Sequence, residues 1–139
     1  MRILITDDDI INCTILQTML VSYGDCDIAL NGKEAFEAFV LAHKEKKPYE
    51  LIFLDIMMPV LDGCAALMKM RKYEAEMGLN TPSQEAKIVM ATALDHPKDI
   101  MEAYDKGGCT AYLVNGHPNM YHFWSLKNVP VWDPPKGLV

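Results

Sequence analysis

The sequence lacks the features that mark a nucleic-acid-binding or membrane protein. Its 139 residues hold 13 Lys and Arg against 19 Asp and Glu, a formal net charge of −6, with no basic cluster to follow a phosphate backbone. The first apolar run meets Asp7 soon after Arg2, so neither a signal-peptide core nor a membrane span begins there. We therefore expect a soluble, cytoplasmic protein with no direct nucleic-acid or membrane contact.

Cysteine pairs are also missing. Cys13, Cys26, Cys64 and Cys109 are widely spaced, with no CxxC pair and no clustering with histidine. This spacing argues against a zinc site and against a disulfide framework. We expect four buried thiols in a reducing compartment, within one domain that is large enough to bury a core without cross-links.

Five short apolar runs have the length of β-strands. Their nearly continuous apolar character is typical of parallel strands that are covered on both faces. The runs are Arg2–Thr6, Cys26–Leu30, Leu51–Leu54, Ile88–Ala91 and Ala111–Val114. Because helical stretches separate them, the order predicts an α/β fold, with a parallel sheet, right-handed crossovers and helices on both faces.

Helical spacing occupies the segments between these runs. Ile11, Ile15 and Met19 recur at i, i+4 and i+8 beside Leu16 and Leu20, which predicts a first helix that packs on the sheet. Gly24 follows it as a stop signal. Pro97 is placed to begin a fourth helix, in the segment before the last apolar run.

The second and third helices each begin with a capping residue. Asn31, with Glu34 three positions later, resembles a capping box, and Asp62 can cap the third helix. Gly78 is placed to end that helix. The predicted inner residues are Ala35, Phe36, Phe39 and Ala42 in the second helix, and Leu67, Met70 and Met77 in the third.

Three acidic residues follow two of the apolar runs. Asp7 and Asp8 come after the first run, and Asp55 comes directly after the third. If these runs are neighbouring parallel strands, the three carboxylates end at one edge of the sheet. Like charges so close raise each other's pKa, and a divalent cation among the oxygens relieves the repulsion. The sequence therefore predicts a Mg²⁺ site with an acidic nucleophile.

Several separated motifs resemble the response-regulator receiver family of two-component signalling, and the chemotaxis regulators in particular. They are ILITDDD at residues 3–9, NGKEA at 31–35, DIMMPVLDG at 55–63, ATA at 91–93 and GCTAYL at 108–113. The resemblance runs from Arg2 to about Val114. It implies a flavodoxin-like, doubly wound sheet of five parallel strands in the order 2-1-3-4-5, with helices on both faces.

The resemblance also implies roles for the acidic residues. Asp55 would be the phosphoacceptor, and would take the phosphoryl group of a phosphohistidine on a histidine kinase or phosphotransfer protein. Asp7, Asp8, Asp55 and the backbone carbonyl of Met57 would hold Mg²⁺. Such a protein is no enzyme beyond catalysing its own phosphorylation and dephosphorylation.

The switch residues implied by the resemblance lie further along the chain. Thr92 would donate its hydroxyl to the phosphoryl group, and Tyr112 would follow it and change a surface read by a downstream protein partner. The lysine usual in the family after the fifth strand is replaced by Asn115. An amide donates a hydrogen bond without a charge, so the phosphorylated state loses on the order of 1–2 kcal/mol of stabilisation.

The C-terminal residues predict a tail. We expect a receiver domain over residues 1–128 and a proline-containing tail over residues 129–139, because Pro130, Pro134 and Pro135 favour an extended chain. Trp124 and Trp132 are suited to a partner surface or to self-association as a homodimer, although core packing fits Trp124 equally well.

Two other functions fit parts of the sequence. A degenerate receiver would act as an interaction module without phosphorylation, and Asn115 is the residue that favours it. A Mg²⁺-dependent phosphohydrolase would use the Asp-x-Asp pattern of Asp7 and Asp9. Such enzymes usually need more chain for a cap and a later lysine, so we rank the phosphohydrolase third.

Overall fold

Strands and helices alternate along the chain. The computed structural model describes residues 1–56, 58–79, 81, 83–92 and 111–114, with the backbone alone for residues 91, 92 and 111–114. The strands are β1 (Arg2–Thr6), β2 (Asp25–Ala29), β3 (Leu51–Asp55), β4 (Lys87–Thr92) and β5 (Ala111–Val114). The helices are α1 (Ile10–Leu20), α2 (Gly32–Lys44) and α3 (Gly63–Glu76). The helix predicted from Pro97, and the tail, lie outside the described residues.

The strands form a parallel sheet. β1 pairs with β2 on one side and with β3 on the other, and β3 pairs with β4, which gives the order β2-β1-β3-β4. The backbone of β5 runs parallel to β4, with Ala111 opposite Val89 and Val114 opposite Thr92. The prediction of an α/β fold with a parallel sheet is confirmed, as is the order of these first four strands.

One face of the sheet is covered by α2 and α3. Successive strand residues point to opposite faces, and on this face Leu4, Ile52 and Ile88 join a buried cluster with Phe39 of α2 and Met70 of α3. The inner residues predicted for α2 are confirmed, since Phe36 is partly buried against the same cluster. In α3 the prediction is wrong for Met77, which caps the helix C-terminus and is 59% exposed.

The opposite face of the sheet is covered by α1. Its buried residues Cys13, Leu16 and Leu20 pack with strand residues in a second cluster. The predicted packing of α1 on the sheet is confirmed for Leu16 and Leu20, whereas Ile11, Ile15 and Met19 are among the exposed large hydrophobic residues. The residues that lie against the sheet are therefore one or two positions further along the sequence than these exposed ones.

The helix caps follow the sequence closely. Asp9, Asn31 and Asp62 are the N-cap residues of α1, α2 and α3, and the side chain of each accepts a hydrogen bond from a backbone N–H of the first turn. The reciprocal bond of the predicted capping box goes one residue further back, because Glu34 accepts from the N–H of Leu30. None of the helices in the described part of the chain is long and apolar enough to cross a membrane.

Two of the cysteines are less buried than expected. Cys13 is buried, and this burial raises the pKa of its thiol to about 11. Cys26 and Cys64 are only partly buried, so the expectation of fully buried thiols is wrong for both. Cys109 lies outside the described residues.

Candidate functional site

The carboxyl ends of β1 and β3 bring three carboxylates together. β1 and β3 are in register with Thr6 opposite Leu54, so the residues that follow in each chain, Asp7 and Asp55, emerge side by side. Carboxylate oxygens of Asp7, Asp8 and Asp55 all lie within 4.8 Å of one another. The cluster predicted from the strand-end positions is thus present in the structure.

The three carboxylates differ in exposure. Asp7 is buried, Asp55 is half-buried and Asp8 is exposed. The Asp7 carboxylate therefore lies inside the protein, and the Asp8 carboxylate faces solvent. The cluster is therefore open to solvent on the side of Asp8.

The Asp7 carboxylate is held by two hydrogen bonds. The backbone N–H of Asp9 donates to Asp7 Oδ1 at 2.9 Å, and the side-chain amide of Asn12 donates to Asp7 Oδ2 at 3.3 Å. Burial raises the pKa of Asp7 despite these donors, and the neighbouring Asp8 raises it further. A charged Asp7 is therefore stabilised by a positive partner, such as a bound cation.

The donor set suits a hard divalent cation. Carboxylate oxygens are the ligands that Mg²⁺ and Ca²⁺ prefer, and Mg²⁺ commonly keeps several waters beside one or two carboxylates. Three converging carboxylates, one of them with a raised pKa, form a site that a cation stabilises by removing the repulsion between them. The residues present therefore fit a bound Mg²⁺.

The first residue of α3, Gly63, lies close to the backbone of Asp55 at the end of β3. The N–H of Gly63 donates to the carbonyl of Ile56 at 2.9 Å, which closes the loop after β3. A Cβ at position 63 would lie 2.1 Å from the carbonyl oxygen of Asp55, so only glycine permits this approach. Asp55 is thereby fixed from both sides, by β3 and by the first turn of α3.

The switch residues are located by their backbone alone. Thr92 is the last residue of β4, one position after Ala91, which lies opposite Asp55. Tyr112 lies opposite Met90 in β5. Asn115 and Met57 lie outside the described residues, so their predicted roles at the lysine position and as a metal-binding carbonyl stay predictions.

Comparison with known families gives the same assignment from a separate source. The family profile of the response regulator receiver domain matches residues 3–114. The chain belongs to the response regulator receiver family. The match begins at β1 and ends at β5, so this receiver carries the family pattern across the whole described sheet.

Relatives of this receiver include parts of much longer signalling proteins. It is 41% identical over 101 residues to hybrid signal transduction histidine kinase F of Dictyostelium discoideum. The aligned segment covers 70% of this chain and 8% of that protein. The chain therefore spans a small fraction of the length of that curated relative.

Solved receiver structures resemble this one in fold. The receiver domain of Ssk1, in a co-crystal structure with the Saccharomyces cerevisiae histidine phosphotransfer protein Ypd1, is similar with a TM-score of 0.70 and 32% identity, over 84% of this chain and 79% of that one. The response regulator TrrA of Thermotoga maritima, in complex with Mg²⁺ and BeF, is similar with a TM-score of 0.66 and 28% identity, over 91% and 92%.

Two residues at the site were missed by the sequence reasoning. Asn12 lies in the first turn of α1, five positions after the aspartate that it contacts, a spacing that no simple metal-ligand pattern includes. Gly63 belongs to the family-like motif at residues 55–63, and its close approach to the Asp55 carbonyl explains why glycine is required there. The signal for Asn12 is a polar residue on the helix end nearest the acidic pair.

Proposed function

We propose that this chain is a phosphoryl-accepting receiver that is modified on Asp55 by a histidine kinase or a histidine phosphotransfer protein. The observation that carries the proposal is the cluster of Asp7, Asp8 and Asp55 at one edge of the sheet. Its support from relatives is the similarity to hybrid histidine kinases and to the Ssk1 receiver, whose structure contains a phosphotransfer protein.

The transfer proceeds by nucleophilic attack. A carboxylate oxygen of Asp55 forms a bond to phosphorus while the P–N bond to the donor histidine breaks, and the electron pair of that bond stays on the imidazole nitrogen, which takes up a proton. The product is an acyl phosphate on Asp55. Water later attacks the phosphorus, which regenerates the carboxylate and releases inorganic phosphate. The covalent chemistry is simple, so positioning and charge stabilisation carry most of the catalysis.

The protein residues prepare the site for that charge. Asp7 and Asp8 would hold Mg²⁺ together with Asp55 and the Met57 carbonyl, and bound Mg²⁺ neutralises negative charge on the transferred phosphoryl group. Asn12 and the Asp9 N–H keep the Asp7 carboxylate in one orientation. The contact of Gly63 with the Asp55 backbone limits movement of the nucleophile.

The output would pass through the strands beyond β3. We infer that β5 is the fifth strand of a complete flavodoxin-like sheet in the order 2-1-3-4-5, with Thr92 and Tyr112 as switch residues on adjacent strands. A receiver domain over residues 1–128, with a tail over residues 129–139, would then signal to a downstream protein partner or through a homodimer. Asn115, at the usual lysine position, would weaken the coupling.

A second function is favoured by one residue. With Asn115 in place of the lysine, the chain would be a degenerate receiver that binds partners without phosphorylation. The phosphohydrolase alternative is less compatible with the site. Asp9, the second aspartate of its Asp-x-Asp pattern, accepts from the N–H of Ile11 at 2.9 Å and serves as the cap of α1.

Intact-mass analysis after treatment with a small-molecule phosphodonor and Mg²⁺ tests the proposed acceptor. One phosphoryl group should be added to the wild-type chain, because the proposal gives the cluster a single acceptor, Asp55. Asp55→Asn should remove the modification, since an amide is not a nucleophile toward phosphorus. Asp9→Asn is the matched control and should keep it, because Asn also caps helices well.

Equal labelling of the two variants would reject Asp55 as the acceptor and return attention to the Asp-x-Asp pattern. Absence of labelling in the wild-type chain, with the sheet intact by circular dichroism, would favour the degenerate receiver.

A further inference from the structure

The loop after β3 contains a strained backbone turn. Val60 has a φ of 69°, in the left-handed region that β-branched residues rarely adopt. The N–H of Leu61 donates to the carbonyl of Pro59 at 2.7 Å, so Val60 is the centre of a three-residue γ-turn with positive φ, a rare and strained type. Backbone strain of this kind persists only where the surrounding structure enforces it.

The residues on either side of Val60 enforce the turn. Met58 is buried, and Leu61 packs against the core cluster under α2 and α3. Val60 itself is 76% exposed. The chain must therefore reverse between two inward-pointing side chains, and it does so over Pro59 and Val60.

The first residue of α2 forms a hydrogen bond with this loop. The N–H of Gly32 donates to the carbonyl of Leu61 at 3.0 Å, directly after the strained residue. A Cβ at position 32 would lie 2.2 Å from that carbonyl oxygen, so a side chain there forces the two loops apart. Gly32 is the first residue of α2, and the first N–H groups of a helix have no acceptor within the helix. This N–H is therefore available to the neighbouring loop.

We propose that Gly32 is a positioning residue for the phosphoacceptor loop: its N–H holds Leu61 and keeps the strained turn at Val60 in place. The loop begins at Asp55 and is closed by the bond from Gly63 to Ile56, so a displacement of Leu61 is transmitted to the backbone next to the acceptor. The proposal deepens the function proposed above, because it assigns to the β2–α2 turn the task of ordering the metal and acceptor site.

Mg²⁺ affinity, measured by calorimetry on the whole chain, is the direct test. Gly32→Ala should lower the affinity about tenfold, the scale of loss that follows removal of groups which orient metal ligands. Gly24→Ala is the matched control. Its Cβ would lie 1.9 Å from the carbonyl oxygen of Met1, so it also disturbs a close backbone contact, but next to Met1 and away from the loop. Its Mg²⁺ affinity should stay within about twofold of wild type.

A second substitution separates positioning from general damage. Val60→Gly removes the strain, because glycine adopts positive φ without a steric cost. In the Gly32→Ala background it should therefore restore most of the lost Mg²⁺ affinity, while alone it should leave the affinity unchanged. A double variant that binds no better than Gly32→Ala, or a Gly24→Ala that loses as much, would overturn the proposal.

Hydrogen exchange of the wild-type protein gives an independent result. The amide of Gly32 should be protected, although the first N–H of a helix usually exchanges freely, since it donates to Leu61. Exchange at the rate of an unprotected amide would show that the hydrogen bond from Gly32 to Leu61 does not hold the loop. Neither measurement uses phosphorylation, so this proposal can fail while phosphorylation of Asp55 stands, and the reverse.

Discussion

At the residue scale, the acidic cluster is built from three unequal carboxylates. Asp7 is buried and held by two donors, whereas Asp8 is exposed at the rim. Asp8 would hold a bound cation on the solvent side, and Asp7 and Asp55 would hold it on the inner side. Asp8 is therefore the residue whose loss should affect metal binding without disturbing the core.

Substitution of Asp8→Ala should lower Mg²⁺ affinity at least about tenfold, because one of three charged ligands is removed. The measurement is calorimetric titration, with Asp9→Asn as the control that keeps the cap of α1 and leaves the affinity unchanged. An Asp8→Ala protein that binds Mg²⁺ as tightly as wild type would place the metal elsewhere.

Asp7 makes stability depend on pH in a definite direction. Burial raises the pKa of Asp7 in the folded protein, so the folded state holds its proton more tightly than the unfolded state. Without metal, stability from this group is present below its unfolded pKa and is lost as pH rises through the folded pKa. We predict that Asp7→Asn raises the urea midpoint of the metal-free protein at pH 7.

The same comparison has two built-in controls. The advantage of Asp7→Asn should shrink on acidification, when wild-type Asp7 is itself neutral. It should reverse in saturating Mg²⁺, because the ion binds and stabilises the wild-type cluster more strongly. A difference in urea midpoint that changes with neither pH nor Mg²⁺ would contradict both the raised pKa of Asp7 and its role as a metal ligand.

At the scale of single elements, a buried acid joins α3 to Ala86, the residue before β4. Glu74 is fully buried, accepts from Arg71 at 2.7 Å, and accepts from the backbone N–H of Ala86 at 2.7 Å. Arg71 also donates to the carbonyl of Ala86 at 2.9 Å. Burial raises the pKa of Glu74 in spite of these partners, so the contact is costly to form and costly to break.

Glu74→Ala should therefore lower the free energy of unfolding by about 2–4 kcal/mol, because it leaves the buried N–H of Ala86 without its acceptor and removes the buried carboxylate from Arg71. Urea denaturation measures the loss. The matched control is Glu76→Ala in the same helix, whose ion pair with Lys72 is exposed and 4.0 Å long, and whose removal should cost less than about 0.5 kcal/mol. Similar losses of unfolding free energy in the two variants would show that the buried contacts of Glu74 do not stabilise the fold.

The elements also show where sequence reasoning fails. The inner face of α2 was predictable, because Ala35, Phe39 and Ala42 follow the helical spacing i, i+4 and i+7. In α1 nearly every side carries an apolar residue, so Ile11 and Ile15 competed with Cys13 and Leu16 for the buried face and periodicity could not choose. Glu74 could not be predicted either, since glutamate is rarely buried without a partner that only the fold supplies.

At the scale of the whole molecule, the site was more predictable than the core. Parallel strands must end at one edge, so Asp7 and Asp55 could be placed together from strand runs alone. The strain at Val60 was not visible in the sequence, because it depends on the inward-pointing Met58 and Leu61 and on Gly32 at the start of α2. Long-range contacts of this kind carry no local pattern.

The coupling of the acceptor to the rest of the molecule is predicted to be weak in this chain. Asn115→Lys would restore the charge that the family usually carries at this position, so it should enlarge the population shift on phosphorylation by about tenfold. Chemical shifts around Thr92 and Tyr112, recorded with and without a phosphoryl mimic, compare the two proteins. A full response already present with Asn115, and unchanged by lysine, would show that another group has taken the role.

The most direct test of the central claim is to locate the phosphorylated residue by borohydride reduction, which converts an aspartyl phosphate to homoserine, followed by peptide mass spectrometry. The chain would be treated with a small-molecule phosphodonor, with and without Mg²⁺. We predict conversion at position 55 alone, and only when Mg²⁺ is present. Conversion at Asp9, or conversion at position 55 that is equally strong without Mg²⁺, would contradict a metal-assisted receiver built on Asp7, Asp8 and Asp55.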